Sequence, residues 1–289
     1  MDTDLKRYCS LIQGYKSASQ IARILTEAWV SDNLECPSCG GTLSPLQANS
    51  RTSDFQCHTC GETYQLKSQS KPFGRKILGA EYNTTIQATK AGRHPSLILL
   101  QYDRNNLSVQ QVRILHRSWI TEQSIIPRRP LGPQARRAGW QGCLLTLESI
   151  PGTAFVDVVQ NGSANLSQTV KLQWQTAHSI STLPLAQRGW VALILRIVEL
   201  LPQEFTLQQV YAYEEQLAEF YPANQNVQAK IRQQLQNIRG LGLLEFIEPG
   251  VYRKVFRSMQ QAKWGGHRPP NSLRRGSSTW VHGARVPVA

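Results

Sequence analysis

The sequence predicts an α/β domain with an embedded zinc ribbon, followed by a winged-helix domain, and three observations lead there. Two C-x-x-C pairs, Cys36-Pro-Ser-Cys39 and Cys57-His-Thr-Cys60, stand seventeen residues apart. Strand-like runs alternate with helical stripes over residues 1–183. Three helical patterns and a hairpin signal then crowd into residues 184–256. Two tight knuckles at this separation place four thiolates so that they can close a tetrahedral Zn2+ site, which makes Cys36, Cys39, Cys57 and Cys60 the candidate ligands of a structural zinc.

Composition is compatible with this division. A chain of 289 residues is long enough for two domains with real cores. Its net charge of +13 favours a polyanionic partner, although a basic protein without one carries the same charge. Six cysteines, four of them in knuckles, are too few and too clustered for a disulfide framework, so Cys9 and Cys143 read as free thiols in a reducing compartment. The start, Met1-Asp2-Thr3-Asp4-Leu5-Lys6, lacks the apolar core of a signal peptide. No apolar run approaches the ~20 residues that span a bilayer, so the expectation is a cytoplasmic protein with no membrane partner.

The first helix is expected from Ser17 or Ser19 to about Val30, because Ile21, Ile24, Leu25, Ala28 and Trp29 form one apolar stripe. On its polar side Glu27 lies one turn from Arg23, as a helical ion pair or as an extra acid beside a metal. The second knuckle is the turn of a hairpin whose arms are Ser53–Gln56 and Thr63–Lys67. Strand alternation puts Gln65 and Lys67 on one face and Tyr64 and Leu66 on the other. Asp54 on one arm with Gln65-x-Lys67 on the other is the layout of a metal-dependent phosphodiesterase hairpin, and the zinc clamps it.

After the hairpin come a flexible basic run over Lys71–Lys76, a helix from about Gly79 to Lys90, and strands at Leu97–Tyr102 and Val109–Leu115. These suggest a mixed sheet flanked by helices. Residues 113–137 hold Arg113, Arg117, Arg128, Arg129, Arg136 and Arg137 against the single acid Glu122. The prolines of Pro127–Pro133 exclude helix and central strand, leaving an extended basic loop that leads to Trp140. Guanidinium forks suit phosphate, so these arginines are expected on DNA; Trp140 either stacks on a base or anchors the loop. The last strands of the domain are read at Cys143–Leu147 and Ala154–Val159, and the polar residues 161–183 as a connection.

From Pro184 onward, Trp190, Leu193, Ile194, Ile197, Val198 and Leu201 make a stripe that ends before Pro202. Thr206 and Gln209 form a capping box, with Phe205 and Val210 as its staple, and open a helix expected to run to about Tyr221. A third helix from Asn226 to Gly240 buries Val227, Ile231, Leu235 and Ile238 and presents Ala229, Arg232, Gln233 and Gln236. A hairpin over Leu244–Val255 completes a winged helix whose third helix enters the major groove, where glutamine can meet adenine and Arg232 guanine or phosphate. Residues 257–289, with six basic residues and no acid, read as a disordered tail.

Several long blocks carry a family resemblance: Tyr15–Val30, both knuckles, Ser124–Trp140 and Lys230–Arg239. Over about residues 15–255 the chain resembles the methyl-directed type II restriction endonucleases of the DpnI kind. The resemblance implies a PD-(D/E)xK nuclease domain followed by a winged helix, both contacting double-stranded DNA methylated at adenine N6 in GATC, as a monomer or transient dimer. It makes Asp54 the first metal-binding carboxylate for Mg2+, Lys67 the catalytic lysine and the four cysteines the zinc ligands. Gln65 stands where the motif has a carboxylate; its amide still offers an oxygen to Mg2+ but removes one charge. A catalytically weak or inactive methyl-DNA reader on the same scaffold is the alternative function.

Overall fold

A computed structural model describes residues 1–46 and 53–256. After a 3-10 turn over Lys6–Ile12, helix α1 (Ala18–Asn33) buries Leu25, Thr26, Trp29 and Val30. The hairpin strands follow as β1 (Leu43–Pro45), β2 (Phe55–Cys57) and β3 (Thr63–Gln69). Strand β4 (Lys76–Glu81) and helix α2 (Tyr82–Lys90) lead to β5 (Ser96–Asp103) and β6 (Ser108–Leu115). Then come β7 (Ile125–Pro127), β8 (Gly142–Thr146), β9 (Phe155–Gln160), β10 (Ser163–Ala164) and helix α3 (Ser167–Ser179). The last quarter holds α4 (Leu185–Leu200), β11 (Glu204–Thr206), α5 (Leu207–Tyr211), α6 (Glu214–Phe220), α7 (Val227–Gly240), β12 (Leu244–Glu248) and β13 (Val251–Lys254).

The central sheet has seven strands in the order β1-β2-β3-β5-β6-β9-β10. It is mixed, since β3 and β5 run parallel, with Lys67 beside Leu99, while the other pairs are antiparallel. Residues 96–100 of β5 are all buried, as expected where both faces of a sheet are covered. One face packs Tyr64, Ile98, Leu100 and Val112 against Trp29 of α1 and Trp174 of α3. The other packs Leu97, Leu99 and Leu115 against the small sheet β4-β8-β7 and against α4.

Helix α4 is buried on every side from Gly189 to Val198, which marks a helix enclosed by its neighbours rather than one lying on a surface. One apolar cluster runs through it from Leu97, Trp119 and Ile125 to Phe205, Val210, Ile231 and Leu235. Polar ties reinforce the junction: Glu199, paired with Arg196, accepts from the Thr153 N–H at 3.1 Å. Beyond α4, Lys254 of β13 donates to the carbonyls of Leu201 (2.7 Å) and Glu199, closing the C-terminal end of that helix. Helices α4–α7 with the sheet β11-β13-β12 form a winged helix-turn-helix.

Several sequence expectations change here. The connection expected over 161–183 contains α3, because Val170, Trp174 and Ala177 share a face that packs on the sheet despite the polar residues between them. The helix expected from Gly79 starts at Tyr82; Lys76–Glu81 is instead a strand paired with β8, and Glu81 caps the helix by accepting from the N–H groups of Asn83 and Thr84. Within the basic run expected to be flexible, Phe73 is buried in the core. The helix opened by the Thr206 capping box breaks at Ala212 and Tyr213 into α5 and α6, and Glu204–Thr206 before it is a strand. Residues 257–289 lie outside the described residues. Among the described residues no helix is long and apolar enough to cross a membrane.

Candidate nuclease site and nucleic-acid interface

The four sulfurs of Cys36, Cys39, Cys57 and Cys60 lie within 4.8 Å of one another, with Cys36–Cys60 at 3.6 Å and Cys39–Cys57 at 3.4 Å. Zn–S bonds of about 2.3 Å in a tetrahedron require sulfurs about 3.8 Å apart, so the cluster fits a zinc ion. Each knuckle turns on the glycine after its second cysteine: Gly40 and Gly61 have φ of +78° and +74° and donate to the carbonyls of Cys36 and Cys57. Tyr64, fully buried on β3, sets its hydroxyl 3.1 Å from Cys36 Sγ, where it supports a thiolate ligand.

The second knuckle joins β2 to β3 and so holds Asp54 against the other arm. The Asp54 N–H donates to the Tyr64 carbonyl at 2.8 Å, and Asp54 Oδ2 accepts from the Leu66 N–H at 2.8 Å. Asp54 is thereby brought near Lys67, whose ammonium burial pushes below the usual lysine range while the Asp54 carboxylate opposes that shift. Gln65 and Lys67 share a cleft with Leu97, Thr85 and His94, whereas Tyr64 and Leu66 turn to the α1 side. Helix α1 crosses β3 at the next residue, where Thr26 Oγ1 donates to Ser68 Oγ at 3.0 Å. This brings Glu27 into electrostatic reach of Asp54; burial first, and then that carboxylate, raise the Glu27 pKa, with Arg23 opposing at 3.5 Å.

Sequence reasoning missed His94. Its Nδ1 donates to the Pro95 carbonyl at 2.7 Å, and burial, with Lys67 adding to it, lowers its pKa to about 4. A neutral imidazole therefore stands beside Lys67, contributed by the turn before β5, a position with no local pattern to announce it. Glu62 takes no part in the cleft, because its carboxylate pairs with Arg117 at 3.1 Å and accepts from Ser96.

The basic segment divides in two. Arg113, expected on DNA, is buried, paired with Asp157 across the sheet and set over the Phe155 ring. Arg117 is likewise engaged with Glu62, so both are structural rather than free for phosphate. Arg128, Arg129, Arg136 and Arg137 are all exposed on a loop closed at its base by Arg128 N–H to Gly142 carbonyl (2.9 Å) and Leu131 N–H to Trp140 carbonyl (2.9 Å). Trp140 is half-buried, with the Arg137 guanidinium 5.0 Å from its ring centre. Its six-membered ring lies so close to Gly142 that a Cβ there would come within 2.7 Å. Anchor and exposed face therefore coexist in one side chain.

Helix α7 buries Val227, Ile231, Leu235 and Ile238 as its pattern predicts, and exposes Ala229, Arg232, Gln233 and Gln236. Arg232 donates to the Tyr211 hydroxyl, which steadies its guanidinium at the surface. Gln234, which the helical wheel did not single out, is fully buried. Residues 3–183 match the model of the Dam-replacing family, DpnI, and residues 186–254 match that of its Dam-replacing HTH domain, DpnI_C. With the cysteine-clamped hairpin in the first segment and the helix-turn-helix in the second, the chain belongs to the DpnI, or Dam-replacing, family of restriction endonucleases.

Proposed function

We propose that this chain is a cytoplasmic, methylation-dependent type II restriction endonuclease that hydrolyses phosphodiester bonds in double-stranded DNA at N6-methyladenine, with G(m6A)TC as its site. The observation that carries the reading is the hairpin: the Asp54 N–H donates to the Tyr64 carbonyl and the Asp54 carboxylate accepts from the Leu66 N–H, which ties it to the strand of Lys67, and the four-cysteine cluster closes the turn between them. On this reading residues 1–183 are a PD-(D/E)xK domain with a structural Zn2+, and residues 184–256 a DNA-reading winged helix.

Oxygen donors that suit Mg2+ are available on this hairpin and on α1: Asp54 has Oδ1 besides the oxygen bound to Leu66, Gln65 carries an amide oxygen, and Glu27 has a carboxylate within electrostatic reach of Asp54. When bound, Mg2+ would neutralise phosphate charge and acidify the attacking water. Lys67 orients that water or stabilises the charge developing on phosphate. Arg128, Arg129, Arg136 and Arg137 hold the backbone, Trp140 faces the bases, and Arg232, Gln233 and Gln236 read the major groove.

The neutral Gln65 favours a second reading, a catalytically weak or silent methyl-DNA reader. One experiment separates them: incubation with Mg2+ and plasmid from adenine-methylating and non-methylating hosts. The endonuclease cuts only the methylated plasmid; a reader shifts it without cutting. Gln65→Glu is expected to keep or raise cleavage at low Mg2+ by restoring the missing charge, and a variant that lost metal affinity in calorimetry would remove Gln65 from the site.

A further inference from the structure

On the reading of α7 as a reader of methyladenine, its side chains suggest how a bare adenine is rejected. Lys230 Nζ lies 2.8 Å from Gln233, and an ammonium only donates, so the atom facing it is the Gln233 carbonyl oxygen. The same oxygen accepts from Gln234 Nε2 at 3.2 Å. Gln234 is fully buried, and its own oxygen accepts from Asn237 Nδ2 at 2.9 Å. That amino group also donates to Gln187 Oε1 on α4 at 3.0 Å. The row of amides thus has one direction throughout and is anchored in the helix that joins the two halves of the molecule. Gln233 is exposed, with its oxygen engaged twice and its amino group left for a ligand.

The consequence follows from base chemistry. A free glutamine meets adenine twice, donating to N7 and accepting from the groove-facing N6–H. In a paired N6-methyladenine the remaining N6–H points into the base pair, and the methyl group takes the groove-facing place. We propose that Gln233 is a donor-only reader that favours N6-methyladenine over adenine, and that Lys230 and Gln234 are positioning residues that keep its carbonyl occupied. Unmethylated adenine at that position would bury an N–H without an acceptor, a penalty the methylated base does not incur.

The test uses the full chain with Ca2+ in place of Mg2+, and measures fluorescence anisotropy on three duplexes with adenine, N6-methyladenine or guanine at the target position. The readout is the methylated-to-unmethylated affinity ratio, which cancels any general loss of phosphate attraction from removing a charge. Lys230→Met and Gln234→Met should each lower this ratio by about threefold to tenfold, the worth of one hydrogen bond. Lys230→Arg keeps a donor and should keep the ratio. Should Gln234→Met fail to fold, the exposed-face variant Lys230→Met decides. A wild type that discriminates while Lys230→Met keeps its full ratio overturns the inference alone; a wild type without methyl preference overturns the reading beneath it as well. A change confined to the guanine duplex would show that Gln233 reads guanine, and would also overturn it.

Discussion

The hairpin of β2 and β3 and helix α7 are held in place by different physics. The hairpin is short, with only two residue pairs joining β2 to β3, and depends on four cysteines and on backbone bonds to Asp54. Helix α7 has no such staple; Ile231, Leu235 and Ile238 lock it into the cluster that passes through α4. A small element can be fixed by a metal where apolar area is scarce, while a helix with a buried stripe fixes itself. The two should therefore fail separately.

The largest effect separates them directly. Removing zinc, or Cys57→Ser, should abolish zinc content and cleavage and unlock the hairpin, since structural zinc contributes about 10–16 kcal/mol of apparent binding energy. Hydrogen exchange is expected to rise over 54–67 while the amides of 231–238 stay protected. Equal loss of protection in both would show that the hairpin and α7 form one cooperative unit.

Asp54→Ala and Lys67→Ala come next. Each should reduce cleavage by about 10²–10⁴, the range of acid–base and positioning groups, with DNA binding retained in Ca2+. On the other side of the comparison, Leu235→Ala should destabilise by about 2–5 kcal/mol through the cavity it leaves, with zinc content unchanged. Because α4 is buried on all sides, residues 184–256 expressed alone would expose the face that covers Leu97 and Trp119, so mutation rather than truncation is the cleaner probe.

The same contrast explains what the sequence made legible. The cysteine pairs, the stripe of α7 and the Thr206 capping box are local signals, with partners within a few turns or at a diagnostic spacing, and the structure contains each. What escaped depends on distant partners. Helix α3 hides three apolar contacts among glutamines and threonines, and becomes visible only when the sheet it covers is known. Arg113 looks like Arg128 in sequence, and only Asp157, 44 residues away, makes it internal. His94 reaches Lys67 because β3 and β5 lie parallel and adjacent, a pairing that no nearby residue encodes. Strand β11 needed β13, its partner from the far side of α7.

The smallest effect tests whether the hairpin end holds an electrostatic cost that α7 lacks. Burial and the Asp54 carboxylate raise the Glu27 pKa above its ordinary value of about 4.3. The folded state therefore holds that proton more tightly than the unfolded chain. Its stabilising contribution is full below the ordinary value and is lost as pH rises through the raised one. At neutral pH the metal-free protein carries the Glu27 charge partly buried and within electrostatic reach of Asp54, a penalty that solvent at this partly exposed position keeps below about 1 kcal/mol. Glu27→Gln removes the titrating group. Metal-free, the variant should gain on the wild type as pH rises from about 4 to 7, read by thermal unfolding. Added Mg2+ should then stabilise the wild type more than the variant, reversing their order. Parallel unfolding curves across that pH range, with and without Mg2+, would place Glu27 outside the site and leave it an ion pair of Arg23.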